Sequence, residues 1–370
     1  MNLIKSSYDP NEVTILLKDV TGLVTPLGTE EREKLNQNGT HYSEMLPVEY
    51  EPTEDYMKIY REELKNNANK VAKTVVELGD KLFFMKGTKL VLISLARAGT
   101  PIGILLKRYL KMRYNSDIPH YSISIIRGKG IDVNALDYIV EHEKSKISGF
   151  QFVDGWIGKG AIQKELNDSI TKYLWDMTMK GFGYIDMDSH LAVLSDPALV
   201  VPEMYCGTRE DFIIPSSCLN ATVSGLFNRT FRRQDIIGEK DFDGAISYSN
   251  LKEKDESNNF LDTVTIEIKK FVDKKLEEIE DGEFKGIDEV KKIAQEFDIS
   301  DINKIKPGVG ETTRVLLRRV PYLILVSEKW QMSKDLEGIV QLCTEKNIPI
   351  KPYPLKRYKA VGIIKDVSDL

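Results

Sequence analysis

A lysine flanked by two glycines follows an acidic residue in the segment 152–161, which reads Phe-Val-Asp-Gly-Trp-Ile-Gly-Lys-Gly-Ala. Apolar residues before Asp154 predict a buried strand, and those beyond Ala161 recur at helical spacing. A helix beginning there would turn free N–H groups and the positive end of its dipole toward the loop, an arrangement that binds phosphate. The segment therefore predicts a phosphate site at Lys159, with Asp154 accepting hydrogen bonds from a bound sugar. A tight turn of purely structural role is the alternative.

Neither of the two common nucleotide motifs fits this segment. A Walker A loop requires glycine where Val153 stands and serine or threonine where Gly160 stands. The dinucleotide pattern GxGxxG requires a third glycine at the position of Gln163. The phosphate prediction therefore does not extend to a P-loop nucleotidase or a Rossmann dehydrogenase.

Two further loops that follow predicted strands contain basic and small residues. The first contains Arg97, Ala98, Gly99 and Thr100, and the second contains Arg127, Gly128, Lys129 and Gly130. Backbone amides and the Arg97 guanidinium could clamp a diphosphate. The second loop is of the basic kind that closes over a charged intermediate. The structural alternative for Arg97 is a surface salt bridge. The alternative for the second loop is a hydrated turn.

The elements that would position these loops alternate between strands and helices. The apolar spacing predicts a helix over 53–82 with Thr53 as its N-cap, and then strands over 90–95, 121–126, 150–153 and 191–194 separated by helices. This alternation is typical of a mainly parallel, three-layer α/β sheet, in which ligands bind at the carboxyl ends of the strands. A smaller α/β pattern follows Pro307: a helix over 311–319, a strand over 322–326, a helix over 334–346 and a strand over 348–350.

Composition limits the class of protein. A chain of 370 residues with 41% hydrophobic and 29% charged residues predicts two or three ordinary globular domains. We expect a cytoplasmic protein without a membrane segment, because the sequence has neither a signal-like N-terminus nor a long apolar run. Residues 306–370 carry 12 Lys/Arg and 7 Asp/Glu, a net charge of +5, which leaves −10 on residues 1–305. A basic C-terminal region favours a polyanionic partner, although a solvated surface has the same pattern.

Cysteine chemistry has weak support in the spacing. A cysteine hydrolase needs a thiolate with a histidine partner. The chain contains three cysteines, Cys206, Cys218 and Cys343, and four histidines, His41, His120, His142 and His190. No spacing pairs a cysteine with a histidine, and the cysteines form neither a CxxC metal motif nor a disulfide framework.

The strand-tip loops and several other stretches resemble the phosphoribosyltransferase-like family found with bacterial tellurite-resistance stress operons, a family that also carries the label cysteine protease StiP. The stretches are 41–47, 95–101, 120–126, 130–132, 152–162, 209–216 and 222–226. They span most of residues 1–235. The resemblance implies a type I phosphoribosyltransferase-like parallel sheet with flanking helices.

The same resemblance implies an activity, namely Mg²⁺-assisted transfer of a phosphoribosyl group between phosphoribosyl diphosphate and a base-like acceptor. The implied catalytic residues are Arg97, Arg127, Lys129 and Asp154. The implied phosphoribosyl-diphosphate contacts are Ala98, Gly99, Thr100, Gly155, Gly158, Lys159, Gly160 and Ala161. Asp196, at the tip of the fourth predicted strand, is a candidate for the acceptor side together with Arg209 and Asp211, with a turn-forming role for Asp196 as the alternative. Mg²⁺ would be held through the diphosphate, with no protein ligand assigned. Gly155 departs from the usual pair of acidic residues, and Lys159 departs from the usual Thr-rich loop.

The C-terminal segments 308–316, 323–327 and 342–349 resemble the Pelota-type RNA-binding domain of kink-turn-binding ribosomal proteins. The resemblance implies RNA contacts by Gly310, Glu311, Arg314, Arg318 and Arg319. Gly310 stands where the family often has asparagine, which favours backbone contacts over base reading. An α/β appendage for dimer contacts is the alternative.

Together these expectations divide the chain into four parts: an N-terminal helical extension over 1–82, a phosphoribosyltransferase-like domain over 83–235, a polar and helical connector over 236–295 and a Pelota-type domain over 296–370. The expected function is a phosphoribosyltransferase that acts in nucleoside-like metabolite synthesis or in a stress response. A homodimer is one possible oligomeric state. The alternatives are a cysteine protease or hydrolase, and a non-catalytic sugar-phosphate sensor coupled to RNA binding.

Overall fold

The computed structural model describes residues 1–49, 51–182, 185–273, 285–330 and 333–364. The strands in these ranges are β1 (Thr14–Ile15), β2 (Lys18–Asp19), β3 (Val91–Leu95), β4 (His120–Ile123), β5 (Ile125–Ile126), β6 (Gly130–Ile131), β7 (Phe150–Trp156), β8 (Leu191–Ser195), β9 (Cys206–Thr208), β10 (Phe227–Phe231), β11 (Gly244–Ser247), β12 (Ile305–Pro307), β13 (Pro321–Ser327), β14 (Ile350–Tyr353) and β15 (Ala360–Ile364). The α-helices are α1 (Thr29–Gln37), α2 (Glu54–Lys86), α3 (Gly99–Tyr114), α4 (Val133–His142), α5 (Ala161–Met179), α6 (Ser257–Ile268), α7 (Gly286–Glu296), α8 (Val309–Arg318) and α9 (Glu337–Glu345).

The central sheet has six parallel strands in the order β1-β4-β3-β7-β8-β9. Successive side chains of a strand face opposite sides, so Leu92 joins the apolar core with helices α2, α3 and α6, whereas Ile93 joins the core with α4 and α5. The predicted three-layer α/β architecture is confirmed, and the loops after β3, β7 and β8 emerge at one edge of the sheet.

The predicted helix over 53–82 is α2, which is longer than expected. Its N-cap is confirmed, because Thr53 Oγ1 accepts a hydrogen bond from the Tyr56 backbone N–H at 3.2 Å. The helix continues past Gly79 because α3 packs closely there: a Cβ at Gly79 would lie 2.5 Å from the Tyr109 ring. It ends at Gly87, whose φ of +53° favours glycine.

The N-terminal residues contribute strands as well as the predicted helix. Strand β1 pairs with β4 at the edge of the central sheet, and β2 pairs with β11 in a three-stranded sheet of order β10-β11-β2. Residues near position 18 therefore lie beside residues near position 244. The segment 1–82 is thus built into the body of the protein rather than only packed on it.

The C-terminal region forms a separate sheet of order β12-β15-β13-β14, in which β13 and β14 are parallel and the other pairs antiparallel. The predicted smaller α/β unit is present, with its helices at α8 and α9. Leu316 of α8 and Leu342 of α9 belong to the same apolar core as Leu64 of α2. The C-terminal domain is therefore joined to the body by continuous packing. Among the described helices, none combines the length and apolarity needed to cross a membrane.

Candidate functional site

A cleft of about 480 Å³ lies between the carboxyl ends of the central strands and the C-terminal domain. Its body side is formed by Asp154, Trp156 and residues 157–163 of the loop and first turn of α5, with Tyr42 and Arg127 also at its border. Its C-terminal side is formed by Asp301, Asn303, Lys304, Lys306, Pro307, Glu311, Arg314 and Arg319. Both domains thus contribute charged side chains to one cavity.

The glycine-flanked lysine lies where the sequence places it, between strand β7 and helix α5. Gly160 has a φ of +88°, and a Cβ there would lie 3.0 Å from Val200, so both backbone and space require glycine. The Lys159 ammonium donates hydrogen bonds to the carbonyls of Ile302 and Ile305, the latter at 3.0 Å. The loop therefore contacts the C-terminal domain directly.

Positive charge is crowded at this contact. Burial, together with the smaller effects of the Lys306 and Arg127 charges, lowers the pKa of Lys159 to about 7. Burial also lowers the pKa of Lys306, with Arg127 and Arg319 adding to the effect. Glu311 and Asp301 oppose these shifts only in part. The described lining of the cleft contains six Lys or Arg residues and three Asp or Glu residues, an excess of positive charge.

Asp154 is held by its own loop. Its Oδ1 accepts a hydrogen bond from the Gly155 N–H at 2.7 Å, and burial raises its pKa to about 6, against the opposing influence of that N–H and of Arg314. Arg314 lies over the Trp156 ring at 4.4 Å and pairs with Glu311 at 3.4 Å. Its Nε is buried without a hydrogen-bond partner among the described residues.

The second predicted loop is the hairpin β5–β6, and its two basic residues diverge. Arg127 borders the cleft and donates to Asn303 Oδ1 at 3.2 Å. Lys129 instead donates to Glu44 at 2.6 Å and to the Arg232 carbonyl at 3.3 Å, and it does not border the cleft.

The first predicted loop contributes only Ala98 to the cleft. Arg97 borders a second cavity of about 550 Å³, where it lies 3.4 Å from Asn220 Oδ1. Gly99 packs on β7, since a Cβ there would lie 2.2 Å from the Val153 carbonyl oxygen, and Thr100 Oγ1 bonds Ser122 Oγ at 2.7 Å. Arg97, predicted to clamp a diphosphate, therefore borders a different cavity from Asp154, predicted to bind the sugar.

The three residues predicted for an acceptor side have contacts within the protein. Asp196 pairs with Arg209 at 2.7 Å and accepts from the N–H groups of Val200 and Val201. Asp211 accepts from the N–H of Val309 at 3.0 Å and from that of Lys359 at 2.7 Å. None of Asp196, Arg209 and Asp211 borders the cleft, and Asp211 instead joins the two domains.

Four of the five residues predicted to bind RNA lie against the body of the protein or border the cleft. Gly310 packs between Trp156 and Ser217, where a Cβ would lie 3.1 and 3.4 Å from their atoms. Glu311, Arg314 and Arg319 border the cleft. The side chain of Arg318 lies outside the described part of the structure. Sequence reasoning missed Lys304 and Lys306, whose only signal was a pair of lysines shortly before Gly308.

All three cysteines are buried and free. Burial raises the pKa of Cys206 and Cys343 to about 12 and that of Cys218 higher still, so none is ionised at neutral pH in this conformation. The four histidines bond other groups: His41 bonds the Arg127 carbonyl, His120 Ser94, His142 the Tyr138 carbonyl and His190 Asp188. Within the described ranges, no histidine bonds a cysteine.

Comparison with known proteins assigns the chain to a family. The family described as tellurite-like stress resistance cysteine protease StiP matches residues 6–265, and the PELOTA RNA binding domain matches residues 284–366. The chain is 33% identical over 377 residues to the cysteine protease StiP of Acinetobacter baylyi, covering 98% of this chain and 94% of that protein. The chain belongs to the StiP family. No solved structure matches it.

These findings confirm the resemblance to the stress-resistance family and to the Pelota domain, and they correct the predicted activity. The prediction of a phosphoribosyltransferase is wrong, because both the family and the curated relative are described as cysteine proteases. The structure is consistent with this correction. Arg97 and Lys129, two of the four implied catalytic residues, do not border the cleft that contains Asp154, and they bond other protein groups. The expectation of Mg²⁺ depends on the transferase reaction. The type I phosphoribosyltransferase fold stays a prediction.

Proposed function

We propose that this chain is a cysteine-dependent protein hydrolase. The observation that carries the proposal is the similarity to the cysteine protease StiP of Acinetobacter baylyi, which extends over 98% of this chain at 33% identity. Such an enzyme needs a thiolate nucleophile and a neighbouring base. The described conformation contains no thiolate–imidazole pair, so the base must be another group.

Cys218 is our candidate nucleophile. It follows Ser217, which packs against Gly310 behind the Trp156 wall of the cleft. After burial, the charge of Glu63 has the largest influence on the pKa of Cys218. Burial, together with the charges of Asp335 and Glu337, raises the pKa of Glu63 to about 7, which suits a general base at neutral pH.

The other two thiols fit the role less well. Cys206 donates a hydrogen bond to the Thr208 carbonyl at 2.8 Å within strand β9. Cys343 lies inside the apolar core on α9, and burial alone accounts for its raised pKa. In the proposed reaction Glu63 takes the thiol proton of Cys218, and the sulfur then attacks the peptide carbonyl. The amine leaves with that proton, and water hydrolyses the thioester.

The described conformation would be a closed one. Cys218 is 4% exposed, and the segment before it contacts helix α8 of the C-terminal domain. A peptide could reach the sulfur only after the C-terminal domain moves. We therefore expect slow alkylation of Cys218 by iodoacetamide in the resting protein and faster alkylation under conditions that support hydrolysis.

The test is hydrolysis of an unfolded protein such as reduced casein by the full-length chain. We expect Cys218→Ala to lower the rate at least 100-fold and Glu63→Gln to lower kcat with little change in KM. Cys343→Ala, at another buried cysteine, is the matched control and should retain activity. Full activity in a Cys206→Ala, Cys218→Ala double variant, or no hydrolysis by the wild type, would contradict the proposal.

We also propose that the C-terminal domain binds RNA, because residues 284–366 match a domain of that description. Lys304 and Arg319, two half-buried cations that border the cleft, are our candidates for phosphate contacts. Fluorescence anisotropy of a structured RNA with the full chain over a salt series tests this proposal. The Lys304→Ala, Arg319→Ala double variant should bind more weakly and lower the salt slope by roughly 2. Lys291→Ala on exposed α7 is the control, and absence of binding at low salt would refute the proposal.

A further inference from the structure

Three cations of the cleft, Arg127, Lys159 and Lys306, have no carboxylate partner among the described residues. In the part of the chain that the structure describes, Arg127, Lys159 and Lys306 form no salt bridge, and the hydrogen bonds of Lys159 go to two neutral carbonyls. The three carboxylates of the cleft have other partners: Asp154 accepts from the Gly155 N–H, Asp301 accepts from the Asn303 N–H, and Glu311 pairs with Arg314. Burying like charges together is unfavourable unless something compensates for them.

The cleft has the size and lining of a small-molecule site. Its volume of about 480 Å³ falls in the range of roughly 300–1,000 Å³ that is usual for such sites. The first residues of α5, Ala161 and Ile162, border it, so the positive end of a 19-residue helix adds to the side-chain charges. The buried Nε of Arg314 is a further donor without a partner among the described residues.

The geometry points to a small phosphate-bearing molecule as the ligand of this cleft, with its phosphate between Lys159, Lys306 and Arg127. Lys159 and Arg127 belong to the body and Lys306 to the C-terminal domain, so the ligand would bridge the two. A phosphate monoester or diphosphate meets this requirement, whether it is inorganic or attached to a nucleoside. The inference does not depend on the cysteine-dependent activity proposed above.

A folded RNA duplex fits this position poorly. The start of α8 is closed against the body, since Gly310 packs on Trp156 and the Val309 N–H bonds Asp211. A duplex could reach the cations inside only if these contacts were broken. A molecule of nucleotide size requires no such opening.

Binding would also change the protonation of the site. An anion between Lys159 and Lys306 should raise their lowered pKa values, because it relieves the repulsion from neighbouring cations. The carboxylates of Glu311 and Asp301 already act on both lysines in this direction. The complex should therefore take up protons when it forms near pH 7. Because the ligand contacts both domains, it should also stabilise the closed arrangement.

The experiment is isothermal titration of the full-length protein with pyrophosphate, orthophosphate, AMP and ADP at pH 7.0, with thermal unfolding as a second readout. We expect saturable binding of at least one of these ligands and a rise in Tm. Tighter binding of ADP than of pyrophosphate identifies a nucleoside-bearing ligand, and equal binding identifies an inorganic one. Repeating the titration in buffers of different ionisation enthalpy should reveal proton uptake.

Variants then locate the binding site. Lys306→Met and Lys159→Met should each weaken binding at least tenfold, whereas Lys164→Met, an exposed lysine on the same helix α5, should bind like the wild type. The circular dichroism spectrum of each variant shows whether it has folded, and Lys306→Arg should restore part of the affinity. Unchanged affinity in a folded Lys159→Met, Lys306→Met double variant overturns the inference. Binding of an RNA oligonucleotide without binding of any small phosphate overturns it as well.

Discussion

The C-terminal domain meets the body along two contacts of opposite character. At the first, which we call the joint, Asp211 accepts hydrogen bonds from the N–H groups of Val309 and Lys359. At the second, the cleft, Lys159 and Lys306 are half-buried around one cavity and form no salt bridge among the described residues. The carboxylate of the joint is satisfied by N–H donors, whereas Lys159 in the cleft bonds only neutral carbonyls among the described residues. The difference separates a contact that holds the domains together from one that is suited to a ligand.

The surroundings of the two contacts support this distinction. Beside the joint, the Lys359 ammonium contacts Glu210 at 3.1 Å and also Asp335, and the apolar core continues from α2 into α8 and α9. The cleft itself is an open volume of about 480 Å³ between the two domains. Substitutions at the joint should therefore change the free energy of unfolding, and substitutions in the cleft should mainly change binding.

The largest effect is expected for Asp211→Ala. The substitution leaves two buried N–H groups without an acceptor, at a cost of roughly 1–3 kcal/mol each, so the free energy of unfolding should fall by roughly 2–6 kcal/mol. Urea unfolding followed by circular dichroism measures the change. Glu210→Ala is the matched control, because the side chain of Glu210 is 48% exposed and its pairs with Lys70 and Lys359 contribute about 1 kcal/mol or less. Equal losses in the two variants would contradict the role of Asp211 in the joint.

A smaller effect is expected for Gly308→Ala. Gly308 precedes α8 with φ of +94° and ψ of 153°, a conformation almost restricted to glycine, so alanine should cost about 1–3 kcal/mol. A Cβ there would also lie 3.3 Å from Asp211 Oδ1, within the joint. The control is Gly338→Ala in α9, where a Cβ makes only ordinary contact with Ile59 at 3.5 Å. That variant should gain about 0.5–1 kcal/mol in the same unfolding assay. A stable Gly308→Ala protein would show that the backbone there can relax.

Long periodic elements were predictable from sequence, and short edge strands were not. The apolar spacing of α2 and the buried run of β3 indicate the central α/β architecture directly. Strands β1 and β2 have two residues each, which is too short for any period to be read. Their partners, β4 and β11, lie more than 100 residues away in sequence, so only the folded chain reveals the pairing.

The part of the candidate site that belongs to the central sheet was predictable from sequence, and the part that belongs to the C-terminal domain was not. Parallel strands place their loops at one edge, which correctly brings Arg127, Asp154 and Lys159 to one cleft. The direction of each side chain depends on the path of its loop, and so the neighbours Arg97 and Ala98 border different cavities. Lys306 comes from another domain, and a pair of lysines shortly before Gly308 is its only signal in the sequence. The activity was predicted wrongly because similar loops on similar folds serve different chemistries.

The change that isolates the cleft is expected in the pH dependence of Lys159→Met. Burial lowers the pKa of Lys159 from 10.5 to about 7, so the wild type carries the full cost of burying this charge below about pH 7. That cost decreases as the pH rises from about 7 toward 10.5. The stability of Lys159→Met relative to wild type should therefore improve as the pH is lowered from 9.5 to 7.0. The control is Lys291→Met, at an exposed lysine, whose stability should follow that of the wild type at every pH. If the curve of Lys159→Met also runs parallel to that of the wild type, burial does not disfavour the charge of Lys159. The contrast between the cleft and the joint would then be wrong.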